Sequence, residues 1–405
     1  MLNNVRKLYD DEHALSFLLC MVIFGISVGL YSGVLNNYLH ETLSISRLER
    51  GIVEFPRELP GLLLFIIIAF LSRFSELKVM YFAFIVSLTG MIGLGLVGDM
   101  RITGIAAIVL FSTGEHMMMP IRQSVAMHMA RKGREGLAMG GVDSLGHVGQ
   151  MLGQYLIPAV FFGMGALLPN ITPFGRFRVV FGIGAVVLMA AIVFASRIHE
   201  THRHIERKKL HFRRKFTKYY ILEMFFGARK QIFFTFAPYV LILNYGAKTE
   251  HLALLYGIWS FSNIFLSPLM GKLLDKVGYK LIIVVNAIIL IPLCLLYGFS
   301  HHLFSQQAAF IIVSIVFVLD AILFVTGMAR AMYVKSIADS QEEVTSTLTA
   351  GLSINHLVSI IIAMLGGVLW ERTNIEMLFS IAALFGLGTF GFSLLLPRPP
   401  QLTQK

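Results

Sequence analysis

Apolar residues run in blocks of about 20 or more, parted by short polar breaks. They lie at 15–38, 50–72, 78–97, 103–129, 137–162 and 176–196, then at 219–245, 251–271, 280–299, 307–334, 345–369 and 375–396. A helix rises about 1.5 Å per residue, so each block is long enough to cross roughly 30 Å of hydrocarbon. The pattern predicts an all-α membrane protein with twelve transmembrane helices. The six-helix halves are expected at 1–196 and 219–405, with a basic linker at 197–218. Short links between blocks imply antiparallel neighbours, and the first block, with no small-residue cleavage site behind a short apolar core, reads as a retained helix.

Composition agrees with this pattern. Of 405 residues, 56% are apolar and 14% charged, whereas soluble domains carry about 25% charge. Water-soluble enzymes, disordered scaffolds and secreted disulfide domains are excluded. Cys20 and Cys294 both fall inside apolar runs and read as small buried hydrophobes. The net charge of +11 is explained by topology. With a cytoplasmic N-terminus, 22 lysines and arginines fall on cytoplasmic segments and 7 on the opposite side, the bias that orients membrane proteins. Both termini are therefore expected in the cytoplasm, and no nucleic-acid partner is implied. The densest basic run, Arg197 to Lys218, reads as a linker against anionic headgroups. Its histidines, His199, His202, His204 and His211, belong to that solvated tract rather than to a metal site.

Residues at an offset of 208 resemble each other. Arg122 and Ala130 correspond to Arg330 and Ala338, and Gly141 and His147 have approximate counterparts in Gly351 and His356. A six-helix unit used twice is a known transporter plan. The stretch Gly271-Lys-Leu-Leu-Asp275-Lys276-Val-Gly278-Tyr-Lys280 then resembles the G-x-x-x-D-[RK]-x-G-x-[RK] loop motif of the major facilitator superfamily. The equivalent stretch Ala69 to Lys78 is degenerate, with Arg73 and Glu76 where the motif has Asp and Gly. Gly140, Gly149 and Gly153 are similar to the first part of a glycine pattern found in the family's proton-coupled antiporters, although Gln154, Ile157 and Pro158 replace its continuation. The resemblance implies a central cavity lined by the first, fourth, seventh and tenth spans, with the second, fifth, eighth and eleventh flanking it. It also implies a gating role for Gly271, Asp275, Lys276 and Gly278.

Charge at a bilayer centre costs several kcal/mol and marks function by default. Counting from each block's middle, Glu115, His116 and Asp320 fall at the midplane, and Arg229, Lys230, His147 and His356 within about 5 Å of it. Arg57 lies about 6 Å to the outer side. Asp143, His147, Gln150 and Gln154 form a polar stripe at helical spacing, as do Thr345, Thr349, Ser353 and His356. Trp259 and Asn263 share a face and offer stacking and a hydrogen bond. Arg57, Arg122, Arg229, Lys230, His147, Trp259, Asn263 and His356 are thus the candidate solute ligands. Glu115, Asp320 and Asp143 are the candidate proton carriers, because burial raises a carboxyl pKa and an approaching arginine lowers it again. Glu54, Arg57 and Glu58 crowd the outer part of the second block, where Glu54 and Glu58 read as gating residues.

Two other signals carry no chemistry. Gly25-Ile-Ser27-Val-Gly29 matches a hydrolase G-x-S-x-G but lies in an apolar helix, where Gly25, Gly29 and Gly33 form a small-residue packing face. The twenty methionines, Met117 to Met119 beside Glu115 and His116 among them, suit an adaptable apolar lining for a varied solute at least as well as soft-metal transport. The chain has no G-x-x-x-x-G-K-[ST] motif, so its energy is expected from an ion or solute gradient, with no cofactor. The expectation is a non-enzymatic secondary transporter of the bacterial inner membrane, acting as a monomer. It would move an anionic or zwitterionic small organic solute by alternating access with protons. A multidrug/proton antiporter is the alternative, and a channel or membrane sensor the alternative of another class.

Overall fold

The computed structural model describes residues 2–71, 74–132, 134–198 and 212–397. Arg73 and the four linker histidines lie outside the described residues. The expected blocks appear as helices: α1 (Leu2–Arg6), α2 (Ala14–Glu41), α3 (Arg47–Leu62), α4 (Leu64–Leu71), α5 (Glu76–Val97), α6 (Arg101–Met129), α7 (Glu135–Leu167) and α8 (Pro173–Ala195). There follow α9 (Thr217–Tyr245), α10 (Thr249–Val277), α11 (Tyr279–Leu303), α12 (Gln306–Leu323), α13 (Met328–Ile337), α14 (Gln341–Arg372) and α15 (Ile375–Leu394). Ten stretches among the described residues are long and apolar enough to cross a membrane. The 16-residue α3 and the charge-bearing α9 fall outside that set.

Local chemistry sets many of the boundaries. The side chains of Ser75, Thr172, Ser305, Ser340 and Asn374 each accept the backbone N–H three residues on, which satisfies a donor the helix leaves open. Two expected blocks are broken. The second divides at Leu63, just after Pro56 and Pro60, residues that cannot donate to the helical ladder. The tenth is interrupted by a 3-10 turn at Phe324–Gly327, a device often placed at hinges.

The chain forms two compact units. One comprises Met1–Ser46, Leu63–Arg207 and Gly246–Phe265; the other comprises Arg47–Leu62, Lys208–Tyr245 and Leu266–Lys405. Each therefore takes in one segment from the other half of the sequence. Within the first unit α2 packs on α7 and α8, and α5 on α6 and α8. Within the second, α3 packs on α14, α11 on α15, and α9 against both α14 and α15. Within the Gly271–Lys280 motif of this unit, Gly278 has φ of 77°, a left-handed conformation that favours glycine. Lys280 Nζ donates to the carbonyls of Leu394 and Leu396 at 2.8 and 2.6 Å.

The α2–α7 seam depends on glycine. A Cβ at Gly25 would stand 2.5 Å from Gly146 O, one at Gly29 2.2 Å from Gln150 O, and one at Gly149 2.1 Å from Val22 O. Backbone therefore meets backbone along this seam, and the glycines at 149 and 153 serve packing against α2. The buried Cys20 and Cys294 are free. Ahead of α9, Lys215 Nζ contacts Glu343 Oε2 at 2.6 Å and Arg213 Nη1 contacts Glu343 Oε1 at 2.8 Å. The Lys215 hydrogen bond holds the Glu343 carboxyl below the usual carboxylate range.

Gly149→Val should cost more than about 3 kcal/mol, the upper end for ordinary overpacking, and abolish the folded fraction in a thermal-denaturation or size-exclusion assay. Gly163→Ala, with nothing within 4 Å of the added Cβ, should fold normally. A lowered carboxyl contributes stability above its unfolded pKa and loses it as pH falls through the folded value. Glu343→Gln is accordingly expected to lower the thermal midpoint at neutral pH and to leave it unchanged in strongly acidic solution.

Candidate functional site

In the second unit, α3 places Arg50, Glu54, Arg57 and Glu58 at i, i+4, i+7 and i+8, so the helix presents them along one face. Glu54 is fully buried. Its carboxylate accepts from Arg50, from Arg57 Nε at 3.0 Å to each oxygen, from Arg57 Nη2 at 2.6 Å, and from Gln231 Nε2 of α9 at 2.9 Å. Arg57 also donates to Glu58, whose Oε2 lies 2.8 Å from His356 Nδ1 on α14. Arg57 thus bridges two carboxylates, and α3 is tied by charge to α9 and α14.

Farther along α9, Arg229 and Asp320 form a buried ion pair, both side chains 5% exposed or less. The Arg229 guanidinium also lies 5.9 and 5.7 Å from the ring centroids of Phe226 and Phe233. Arg330 Nε donates to Glu223 Oε1 at 2.6 Å, and its guanidinium sits 3.5 Å from the Phe226 ring, a cation–π arrangement. The other Glu223 oxygen accepts from Asn355 Nδ2 at 3.2 Å, and Asn355 Oδ1 accepts from Lys230 Nζ at 2.7 Å. Gly227 makes room for this amide: a Cβ there would stand 3.1 Å from Asn355 Nδ2.

Counting this cluster decides its electrostatic character. Arg50, Arg57, Arg229, Arg330 and Lys230 stand among Glu54, Glu58, Glu223 and Asp320. Each arginine touches a carboxylate, whereas Lys230 contacts a neutral amide. Counted formally, the cluster holds five lysine and arginine side chains against four carboxylates, and Lys230 is the cation whose hydrogen bond goes to a neutral amide.

The first unit gathers a different set. Asp143 of α7 lies 3.3 Å from Arg122 Nη2 of α6 and accepts from Gln123 Nε2 at 2.7 Å, with Arg122 and Asp143 both about a third exposed. His116 is buried, its Nδ1 2.8 Å from Ser112 O; Glu115 beside it is half-buried. His147 meets Trp259 edge-to-face at 6.2 Å between centroids, and Tyr256 lies 6.4 Å from the same indole. Asn36 Nδ2 donates to Tyr256 Oη at 3.3 Å, and Ser260 Oγ and the Gln154 amide are 2.7 Å apart. Asn263 is buried one turn beyond Trp259. This set is aromatic and amide-rich, with a single carboxylate–guanidinium pair.

Of the motif residues, Gly271 has open space around its α-carbon and Lys276 is exposed. The side chains of Asp275 and Thr345 lie outside the described residues. Arg50, the first residue of the second expected block and not among the candidate residues, is buried in α3 against Glu54 and over the Tyr239 ring at 5.6 Å. Gln231 and Asn355 were also missed. Neutral amides inside apolar runs raise no charge alarm, and their adjacency to Lys230 and His356 was the available signal.

The model of the Major Facilitator Superfamily matches residues 17–346. This chain belongs to that superfamily, and it is a membrane transporter rather than an enzyme. Solved structures share the fold at low identity. The nucleoside transporter NupG superposes with a TM-score of 0.71 at 12% identity, covering 95% of this chain and 99% of that one. The inward-open xylose transporter XylE from E. coli gives 0.72 at 12%, covering 96% and 97%. A POT family transporter in complex with 5-aminolevulinic acid gives 0.71 at 11%, covering 96% of each. No curated relative matches the sequence.

Removing one partner of a buried ion pair leaves an uncompensated charge and costs about 3–5 kcal/mol. Asp320→Ala should therefore destabilise the protein by that amount in thermal denaturation. Replacing both partners, Asp320→Leu with Arg229→Met, should recover most of the loss; a double variant no better than the single would contradict the pairing.

Proposed function

We propose that this chain is a secondary active transporter that moves a small anionic or zwitterionic organic solute by alternating access, coupled to protons. The observation that carries the reading is the formal excess of one cation in the cluster, with Lys230 bonded to the neutral Asn355 amide. A cluster of five cations and four carboxylates is completed by one negative group, so a solute carboxylate or phosphate would replace the Asn355 amide as its partner. Arg229, Arg57 and His356 would stand around that group. A zwitterion's cation would then face the carboxylates freed by rearrangement.

Proton coupling follows from the same pairs. Protonating Asp320 would release Arg229 for the solute, and deprotonation would recapture it. Glu115 and Asp143 are the corresponding carriers in the first unit, with Arg122 poised over Asp143. Glu54 and Glu58, held by Arg50, Arg57 and His356, would act as the gate that ties α3 to α14. Gly271, Asp275, Lys276 and Gly278 would form the cytoplasmic latch. This reading keeps twelve spans in two six-helix halves with cytoplasmic termini, and a monomer in a bacterial inner membrane.

A second reading is favoured by the set around Trp259. Tyr256, His147, Gln154 and Asn263 supply ring faces and amides, which suit a neutral polyhydroxylated solute or a nucleobase. The solved neighbours described as nucleoside and xylose transporters agree with that chemistry.

Transport in proteoliposomes separates the two. Lys230→Gln should weaken uptake of anionic solutes at least about ten-fold, roughly 1.4 kcal/mol, and leave neutral ones unchanged, whereas Trp259→Ala should do the reverse. In the same assay Asp320→Asn or Glu115→Gln should abolish proton-driven accumulation while solute exchange persists. Retained uphill transport in both would overturn the coupling assignment.

A further inference from the structure

Outside the charged cluster, the end of α11 and the start of α15 bring three ligating side chains together. His301 Nε2 lies 2.9 Å from Glu376 Oε1, and His302 Nε2 lies 2.5 Å from the same oxygen. The two imidazole rings are 4.0 Å apart between centroids and 40° from parallel. All three ligand atoms fall within 4.8 Å of one another. Adjacent helical residues point about 100° apart, so two consecutive histidines converging on one carboxylate oxygen is not what the helix gives by default. It arises because they occupy the last turn of α11, where the backbone leaves the helix at Phe304, while Asn374 caps α15 and presents Glu376 in its first turn.

Hydrogen bonding and helix dipoles account for part of this arrangement. Histidine near a helix C-terminus and glutamate near an N-terminus are each favourable, and both Nε2 atoms can donate to the carboxylate only when protonated there. Three features go beyond that account. Stacked imidazolium ions would repel at 4.0 Å, so the fully protonated trio is self-opposed. Glu376 Oε2 is buried and takes no hydrogen bond from a side chain among the described residues. The trio is also reachable: the His302 side chain is 58% exposed and that of His301 27%.

We propose that His301, His302 and Glu376 form a binding site for a divalent transition-metal ion, of which Zn2+ is the simplest member. Two imidazole nitrogens and one carboxylate are a ligand set that zinc accepts, with water in the fourth position. Bonds of about 2.0–2.1 Å at tetrahedral angles put ligand atoms roughly 3.3–3.4 Å apart. The present 2.9 and 2.5 Å separations need to widen by less than about 1 Å, within the reach of side-chain rotation. On binding, each Nε2 gives up its proton to solvent, a neutral ring taking one back at Nδ1, and the ion replaces those protons as the bridge between neutral imidazoles and carboxylate. The ion would then brace the end of α11 against the start of α15, two helices already packed along their length. None of the three residues belongs to the transport reading above, so the two stand or fall separately.

The test titrates the purified full-length protein with ZnCl2 by isothermal calorimetry, beside His302→Ala and Glu376→Gln. Loss of a ligand costs at least the about ten-fold typical of lost supporting contacts. A saturable one-to-one site weakened by that factor or more in both variants supports the proposal. No saturable site in the parent protein, or a site of unchanged affinity in both variants, overturns it. Co2+ gives a second readout independent of variant folding: tetrahedral ligand-field bands in the parent protein support the site, and a purely octahedral aqueous spectrum at saturating protein overturns it.

Discussion

A charge withdrawn from water must find an opposite charge or a full set of hydrogen bonds, and the architecture of this protein turns on that requirement. Arg50, Glu54, Arg57, Glu58, Glu223, Arg229, Asp320 and Arg330 interrupt otherwise apolar helices, and every arginine among them ends on a carboxylate. The helices carrying them, α3, α9, α12 and α13, are consequently placed by electrostatics as much as by the fit of their apolar surfaces. In the first unit the balance is reversed. There α2 and α7 approach through glycine, backbone against backbone, and polar side chains mainly bond locally or to neutral partners. One unit is fixed by directional ion pairs and the other largely by steric closeness.

Function draws on the same contrast. A seam of glycine contacts admits little variation, because interiors of this density do not deform continuously. Ion pairs are different: a pair has a second arrangement available whenever a proton or a competing anion supplies the missing charge. In the proposed alternating-access cycle, the bistable elements it requires would therefore lie where α9 meets α12, α13 and α14. In that cycle the 3-10 turn at Phe324–Gly327, between Asp320 and Arg330, would let the two ends of that span follow different partners.

Much of the architecture was legible in the sequence because bilayer thickness imposes a block length, and block length is one-dimensional information. The local pairing of Glu54 with Arg57 was legible for a similar reason, since i, i+3 residues must share a face. The glycine seam was visible in the spacing of Gly25, Gly29 and Gly33. Pairings between distant segments were not: nothing in the order of residues joins Glu58 to His356 or Glu223 to Arg330. Arg50 was missed as a site residue because a charge at a block's edge raises no alarm, whereas Glu54 one turn away draws it inside. Neutral amides such as Asn355 and Gln231 left no trace in a reading built on charge.

The two ion pairs along α9 also carry directional information. Glu223 precedes Arg229 on α9, while Asp320 precedes Arg330 on the opposing span, so two antiparallel segments bear complementary signs in mirrored order. Sliding one past the other by six residues, about 9 Å, would set Arg229 against Arg330. The pattern acts as a register code: the observed alignment neutralises both segments, whereas that slip would bury two like charges together.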